Sequence, residues 1–109
     1  MNILFICSRN KWRSATAEAI YKSRQDISVR SAGTEPSARI RINTKLIQWA
    51  DLIFAMEKEH KQRIIEQFSN DVRQKKILVL NIPDEYQFMD PELIDLIQTI
   101  VDPIIESYN

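Results

Sequence analysis

The 109 residues carry fifteen Lys or Arg against fifteen Asp or Glu, with a single cysteine and a single histidine. No apolar run approaches the ~20 residues of a membrane span. One thiol cannot close an internal disulfide, and one Cys with one His cannot supply a metal site. A soluble, cytoplasmic protein without metal or cofactor is expected, as one domain over residues 1–109, since no repeat, linker or low-complexity stretch divides the chain.

Residues 2–6 read as a short buried strand, and a helix of good helix formers begins at Ser14 and runs to about residue 24. Ser8 to Arg13 therefore span a strand-to-helix turn. In such a turn backbone N–H groups converge and the positive end of the helix faces the same point, which makes an anion site. Cys7 stands at its edge, followed by Arg13 and Ser14 in a C-x5-R-S spacing. A thiolate nucleophile is favoured beside such a site. Arginine can grip two phosphate oxygens at once, and the Ser14 hydroxyl can donate to the sulfur and improve it as a leaving group. Asn10 tolerates the left-handed backbone that a tight loop needs. Cys7 and Arg13 are the catalytic candidates, and Ser8, Arg9, Asn10, Lys11, Trp12 and Ser14 the candidates for holding the substrate.

Further apolar runs at 27–31, 51–55 and 76–80 alternate with helical patterns at about 43–50, 57–68 and 90–107. This predicts an α/β fold, a small four-stranded parallel sheet with helices on both faces. Arg39 to Ile42 alternates like a strand or extended crossover and ends at Asn43, a suitable helix cap. Because that crossover is short, the sheet face beneath it is expected to be thinly covered, leaving an apolar patch for a partner or for a second copy in a homodimer. His60 lies among Glu57, Lys58, Glu59 and Lys61, which predicts a surface position. In the last helix Leu93, Ile94, Ile97, Ile100, Val101, Ile104 and Ile105 stand at helical spacing as a core stripe, with Pro103 expected to bend or restart it.

Two aspartates compete as general acid. Asp90 precedes Pro91 and has the signature of a helix cap. Asp84, in Ile-Pro-Asp-Glu-Tyr just past a strand end, has no capping duty and is preferred. Charge is divided along the chain: residues 1–50 are mostly basic and residues 51–109 mostly acidic. Either folding interleaves the halves and cancels this, or Arg9, Lys11, Arg39 and Arg41 form a basic rim that draws anionic substrates. Nucleic acid binding finds little support, since no aromatic platform or known module is present.

The stretch Ile3-Leu4-Phe5-Ile6-Cys7-Ser8-Arg9-Asn10-Lys11-Trp12-Arg13-Ser14 resembles the phosphate loop of the low-molecular-weight protein tyrosine phosphatase family. Val29 to Thr34 resembles its second strand and S-A-G-T turn. Trp49 to Met56 with His60 resembles its A-D-L-I-L-x-M-D-x-x-H segment, and Lys76 to Tyr86 its last strand and acid-bearing loop. The resemblance implies the family's fold and hydrolysis of a phosphorylated protein or small aryl phosphate through a cysteinyl-phosphate, with inorganic phosphate as product. It also implies that Ser31 and Asn10 hydrogen-bond to hold the loop. Tyr86 and Trp12 would line the mouth and grip an aromatic ring.

The chain departs from the family in several places. A helix is missing after the S-A-G-T turn, Arg9 replaces a glycine, Trp12 replaces a frequent second cysteine, and Glu85 replaces a proline. Three other readings share features of this pattern. They are a phosphate-binding module without turnover, a phosphocarrier similar to sugar phosphotransferase IIB components, and an arsenate reductase. Arg13 argues against the carrier, and the single Cys7 against the reductase.

Overall fold

In the computed structural model, which describes residues 1–108, β1 (Asn2–Cys7) is the strand on which the rest is assembled. Strands flank it on both sides and layers cover both faces, so Ile3, Leu4, Phe5 and Ile6 are all fully buried. This is why the segment reads as a continuous apolar run rather than an alternating one. The chain continues through α1 (Arg13–Tyr21), β2 (Ser28–Gly33), α2 (Thr44–Trp49), β3 (Leu52–Ala55), α3 (Lys58–Gln67), β4 (Lys76–Val79) and α4 (Pro91–Ser107). The four strands form one parallel sheet in the order β2-β1-β3-β4, the architecture expected from the alternating pattern.

Ile3, Phe5 and Cys7 face one layer, with α1 and α4, while Leu4 and Ile6 face the other, with α2 and α3. On the first face the Phe5 ring stacks between Tyr21 and Phe54, at centroid distances of 5.9 and 5.3 Å. The Tyr21 hydroxyl donates to Asp102 Oδ1, tying α1 to α4. Burial, reinforced by that carboxylate, pushes the phenol's pKa well up. Of the α4 stripe, Leu93, Ile97, Val101 and Ile105 are buried while Ile94, Ile100 and Ile104 are half-buried at its margins, and the helix runs on through Pro103 without restarting. Pro103 and Thr99, four residues before it, are both exposed, so water reaches the carbonyl that the proline leaves unpaired.

The second face corrects an expectation. Leu4, Ile6, Ala32, Ile53 and Ala55 are fully buried there. Ile42 from the crossover, Ile47 of α2, Ile64 of α3 and Val72 beyond it supply the cover that a longer crossover helix would give. The apolar patch that suggested a second copy is absent from this face. The crossover is not a strand either. It pairs with the sheet at an isolated bridge between Gly33 and Arg41, with Gly33 N donating to Ile40 O and Ile42 N to Gly33 O, at 2.8 and 2.9 Å. Asn43 caps α2 as predicted, its side chain accepting from Leu46 N at 2.9 Å.

From the central β1 the chain crosses to β2 on one side and later to β3 on the other. The loops beyond the strands' C-terminal ends therefore diverge from the end of β1, and a crevice opens there. Cys7 is the last residue of that strand.

Candidate active site

The loop leaving β1 turns back on itself at Asn10, whose φ of 57° is left-handed as its residue type allows. That turn aims the Asn10 backbone N–H at Cys7 Sγ, 3.2 Å away. Arg9 does not take a positive φ, which is why a bulky residue is accepted where the family prefers glycine. Behind the loop the fully buried Asn10 side chain spans to Ser14 Oγ and Ser31 Oγ, each at 2.8 Å. Ser31 Oγ donates onward to Glu18. With Ser14 Oγ accepting from Asn10, its own hydrogen is left to point at Cys7 Sγ, 2.9 Å away. The sulfur thus meets a backbone N–H and a hydroxyl. α1 begins at Arg13 with no side-chain cap on its first turn, so orphan amides and the helix dipole are left for a ligand at this point.

Arg13 is only 2% exposed. Its Nη1 donates to Glu57 Oε1 at 2.5 Å and to Ile82 O at 2.8 Å, and its Nε lies 3.7 Å from Asp84 Oδ1. A buried guanidinium needs partners of this kind to offset its desolvation. They also fix the plane of the fork. The segment bearing Asp84 is pinned at both ends: Ile82 N donates to Met56 O, and Met89 N to the buried Thr16 Oγ1, each at 2.9 Å. Asp90 caps α4, accepting from Glu92 N at 2.9 Å.

His60 contradicts the expected surface position, being 3% exposed. Its Nδ1 accepts from Glu57 N at 3.0 Å and its Nε2 lies 2.9 Å from Ser8 Oγ. Burial first, and then the neighbouring Arg13, lower its pKa to about 4. Lys58 and Glu59 beside it in sequence are exposed, while His60, like Glu57, is on the side of α3 that meets the site.

A cavity of about 250 Å³ opens in front of the sulfur, lined by Cys7, Ser8, Arg9, Lys11, Trp12, Arg13, Glu35 and Asp84. Three of the expected substrate contacts are placed otherwise. Asn10 and Ser14 are sealed behind the loop and hold it rather than the ligand. Tyr86 packs against the core cluster beneath α4 and does not line the cavity, whereas Trp12 does. The basic rim holds Arg9, Lys11 and Arg39 around a shallow adjoining groove, and Arg41 lines a different depression beside Phe68. Arg9 pairs with Glu35 at 3.3 Å, and Lys11 Nζ sits 5.8 Å from the Trp12 ring centre.

Sequence reasoning missed Glu35, Glu57 and the buried state of His60. Glu57 and His60 carried a usable signal. They are three residues apart just past a strand, the spacing of a capping box, and each caps the other's backbone at the start of α3. Glu35 carried none.

No family model matches the sequence. A low-molecular-weight protein tyrosine phosphatase from Streptococcus pyogenes superposes with a TM-score of 0.75 at 17% identity, covering 97% of this chain and 91% of that one. The same parallel sheet and helices, with the C-x5-R-S loop at the end of β1, give the chain the fold of the low-molecular-weight protein tyrosine phosphatases. In sequence, the chain is 34% identical over 95 residues to the protein-arginine-phosphatase of Bacillus subtilis strain 168. That match covers 62% of this chain and 63% of the relative, less than two thirds of its length. A mutant of YwlE from Bacillus subtilis, 26% identical, superposes with a TM-score of 0.69 over 95% of this chain and 98% of that one.

Proposed function

We propose that the chain removes phosphoryl groups from phosphorylated protein side chains through a cysteinyl-phosphate. The observation that carries this is the Cys7 sulfur at the floor of the cavity, met by the Ser14 hydroxyl and the Asn10 amide, with Arg13 locked beside it. In the first step Cys7 Sγ attacks phosphorus, the bond from phosphorus to the leaving atom breaks, and Asp84 supplies that atom's proton. Arg13, the loop amides and the α1 N-terminus meet the charge that develops on the equatorial oxygens. In the second step water attacks phosphorus and gives its proton to Asp84. The sulfur leaves toward the Ser14 hydroxyl, and inorganic phosphate is released.

Phosphotyrosine is the substrate class favoured by the exposed Trp12 at the mouth, whose ring can pack on a phenyl group. A phosphoarginine substrate is the second reading. Glu35 and Asp84 place two carboxylates in the same cavity, where a guanidinium leaving group would find them. The likeness to a protein-arginine-phosphatase supports that reading as well.

The test is turnover by the reduced protein of a generic aryl phosphate, a phosphotyrosine peptide and a phosphoarginine peptide, beside Cys7→Ser. Hydrolysis of any of them, lost in Cys7→Ser, supports the phosphatase, and their kcat/KM ratio decides between the two substrates. Phosphate binding without turnover of any of the three would instead make the chain a binding module.

A further inference from the structure

His60 is a buried titratable group beside the cavity that the mechanism leaves unused, and its two ring nitrogens have different partners. Nδ1 accepts the Glu57 backbone N–H at 3.0 Å, so that nitrogen carries no hydrogen. In the neutral ring the hydrogen therefore sits on Nε2, 2.9 Å from Ser8 Oγ. Ser8 Oγ then accepts from the ring, and its own O–H is free to point away from it. Ser8 lines the cavity next to Cys7.

We propose that His60 is a positioning residue of the site: as its Nε2–H tautomer it holds the Ser8 hydroxyl so that the serine O–H donates to an anion bound beside Cys7. The proposal rests on reading the cavity as a phosphoryl site, whether or not the bound group is turned over. The backbone partner sets the tautomer, the tautomer sets the direction of the Ser8 hydrogen, and that direction suits an acceptor such as phosphate.

The groups that face His60 are Arg13 of α1, Glu57 at the start of α3, Arg63 of α3 and Asp84 after β4. Protonating Nδ1 would set a second donor against the Glu57 N–H and a second cation beside Arg13. The depressed pKa, about 4, agrees with this. The ring should therefore keep one tautomer across the neutral range, and the Ser8 donor should be constant there.

Two measurements on the full reduced chain test it. Long-range nitrogen–proton spectra of the single histidine should show hydrogen on Nε2 and none on Nδ1 from pH 6 to 8. Inorganic phosphate affinity should fall about tenfold, as for one hydrogen bond to a charged acceptor, in both Ser8→Ala and His60→Asn. His60→Asn retains an oxygen near Nδ1 for the Glu57 amide but cannot reach Ser8. The double variant should lose no more than either single one. His60→Gln, whose amide reaches toward the Nε2 position, should recover part of the loss.

Hydrogen on Nδ1, unchanged phosphate affinity in Ser8→Ala, or losses that multiply to about a hundredfold in the double variant would each overturn the proposal. If His60→Asn does not fold, the tautomer and Ser8→Ala still decide. A chain that binds phosphate in this pattern yet hydrolyses nothing would sink the phosphatase reading and leave the role of His60 standing.

Discussion

Behind the phosphate loop, Asn10, Ser14 and Ser31 are sealed from water and joined by hydrogen bonds of 2.8 Å. In front of it, Arg9, Lys11 and Trp12 stand exposed, and their recorded partners are Glu35 and one another. The energetic consequences differ. A buried polar atom that loses its partner costs about 1–3 kcal/mol, so the rear of the loop tolerates change poorly and moves as a unit. An exposed ion pair contributes at most about 1 kcal/mol, so the front can vary without disturbing the loop. The rear sets whether the cradle exists, and the front sets what enters it.

Cys7→Ser is the change of largest effect. Turnover should fall to the level of buffer while phosphate binding persists, because the rest of the cradle is untouched. Retained turnover would mean that the sulfur is not the nucleophile. Asp84→Ala should come next, lowering turnover roughly 10²–10⁴-fold. Asp90→Ala should cost about 1 kcal/mol of stability through the lost α4 cap and leave turnover in place. The reverse pattern would move the general acid from Asp84 to Asp90.

The placement of Cys7, Arg13 and Ser14 around one loop was legible in the sequence because it follows from spacing, whereas Asn10 and Ser14 were expected to hold the substrate and Ser31 entered only through the family resemblance. A strand, six residues and a helix leave few ways to place Cys7, Arg13 and Ser14, and a left-handed turn between them calls for a residue such as Asn10. What holds Arg13 was not legible, since Glu57 and the Ile82 carbonyl come from β3–α3 and from beyond β4 and meet only when the sheet is assembled. His60 was misread for a related reason. Its sequence neighbours are charged, but one turn of helix gives adjacent residues opposite surroundings. The crossover between β2 and α2 was read correctly as short and wrongly as leaving a gap, because Ile42 and Val72 are too far apart in sequence to suggest that they share a face.

The pair of His60 and Glu57 ties α3 to the loop at Ser8 and Arg13, and acid should expose that joint. The folded ring titrates at about 4, against an ordinary value of 6.5. Below pH 6.5 the unfolded chain takes up a proton that the folded chain refuses. Stability is therefore complete above that pH, falls as pH drops toward 4, and loses roughly 3 kcal/mol over the interval at about 1.4 kcal/mol per unit. Urea unfolding from pH 7 to pH 4 measures it, and His60→Gln should flatten that part of the curve. A curve equally steep in the variant would assign the acid sensitivity to other groups.

Gly33, the only glycine, tests how tightly the crossover is sewn to the loop. Its φ is not positive, so space rather than backbone freedom dictates it. A Cβ there would lie 2.5 Å from Ser8 O and 2.6 Å from the Ala38 Cβ. Glu35 N and Arg39 N also donate to Ser8 O and Arg9 O, each at 3.0 Å, so the clash cannot be relieved without shifting the loop. Gly33→Ala should cost about 1–3 kcal/mol and reduce turnover as well. A stable, fully active variant would show that the front of the loop yields independently of the crossover.

Arg9→Ala should have the smallest effect on the fold and the clearest one on substrate arrival. The side chain is 68% exposed and its partner Glu35 is 33% exposed, so unfolding stability should change by less than about 1 kcal/mol. Removing the cation leaves Glu35 unopposed at the mouth of a cavity that must admit a dianion. The kcat/KM for an aryl phosphate should therefore fall severalfold at low salt while kcat holds, since Arg9 touches neither Cys7 nor Arg13. Above about 0.5 M salt, where charges separated by more than a few ångströms are screened, the wild type and the variant should converge. A loss that persists in salt, or that appears in kcat, would place Arg9 in the cradle itself and end the division between a fixed rear and a variable front.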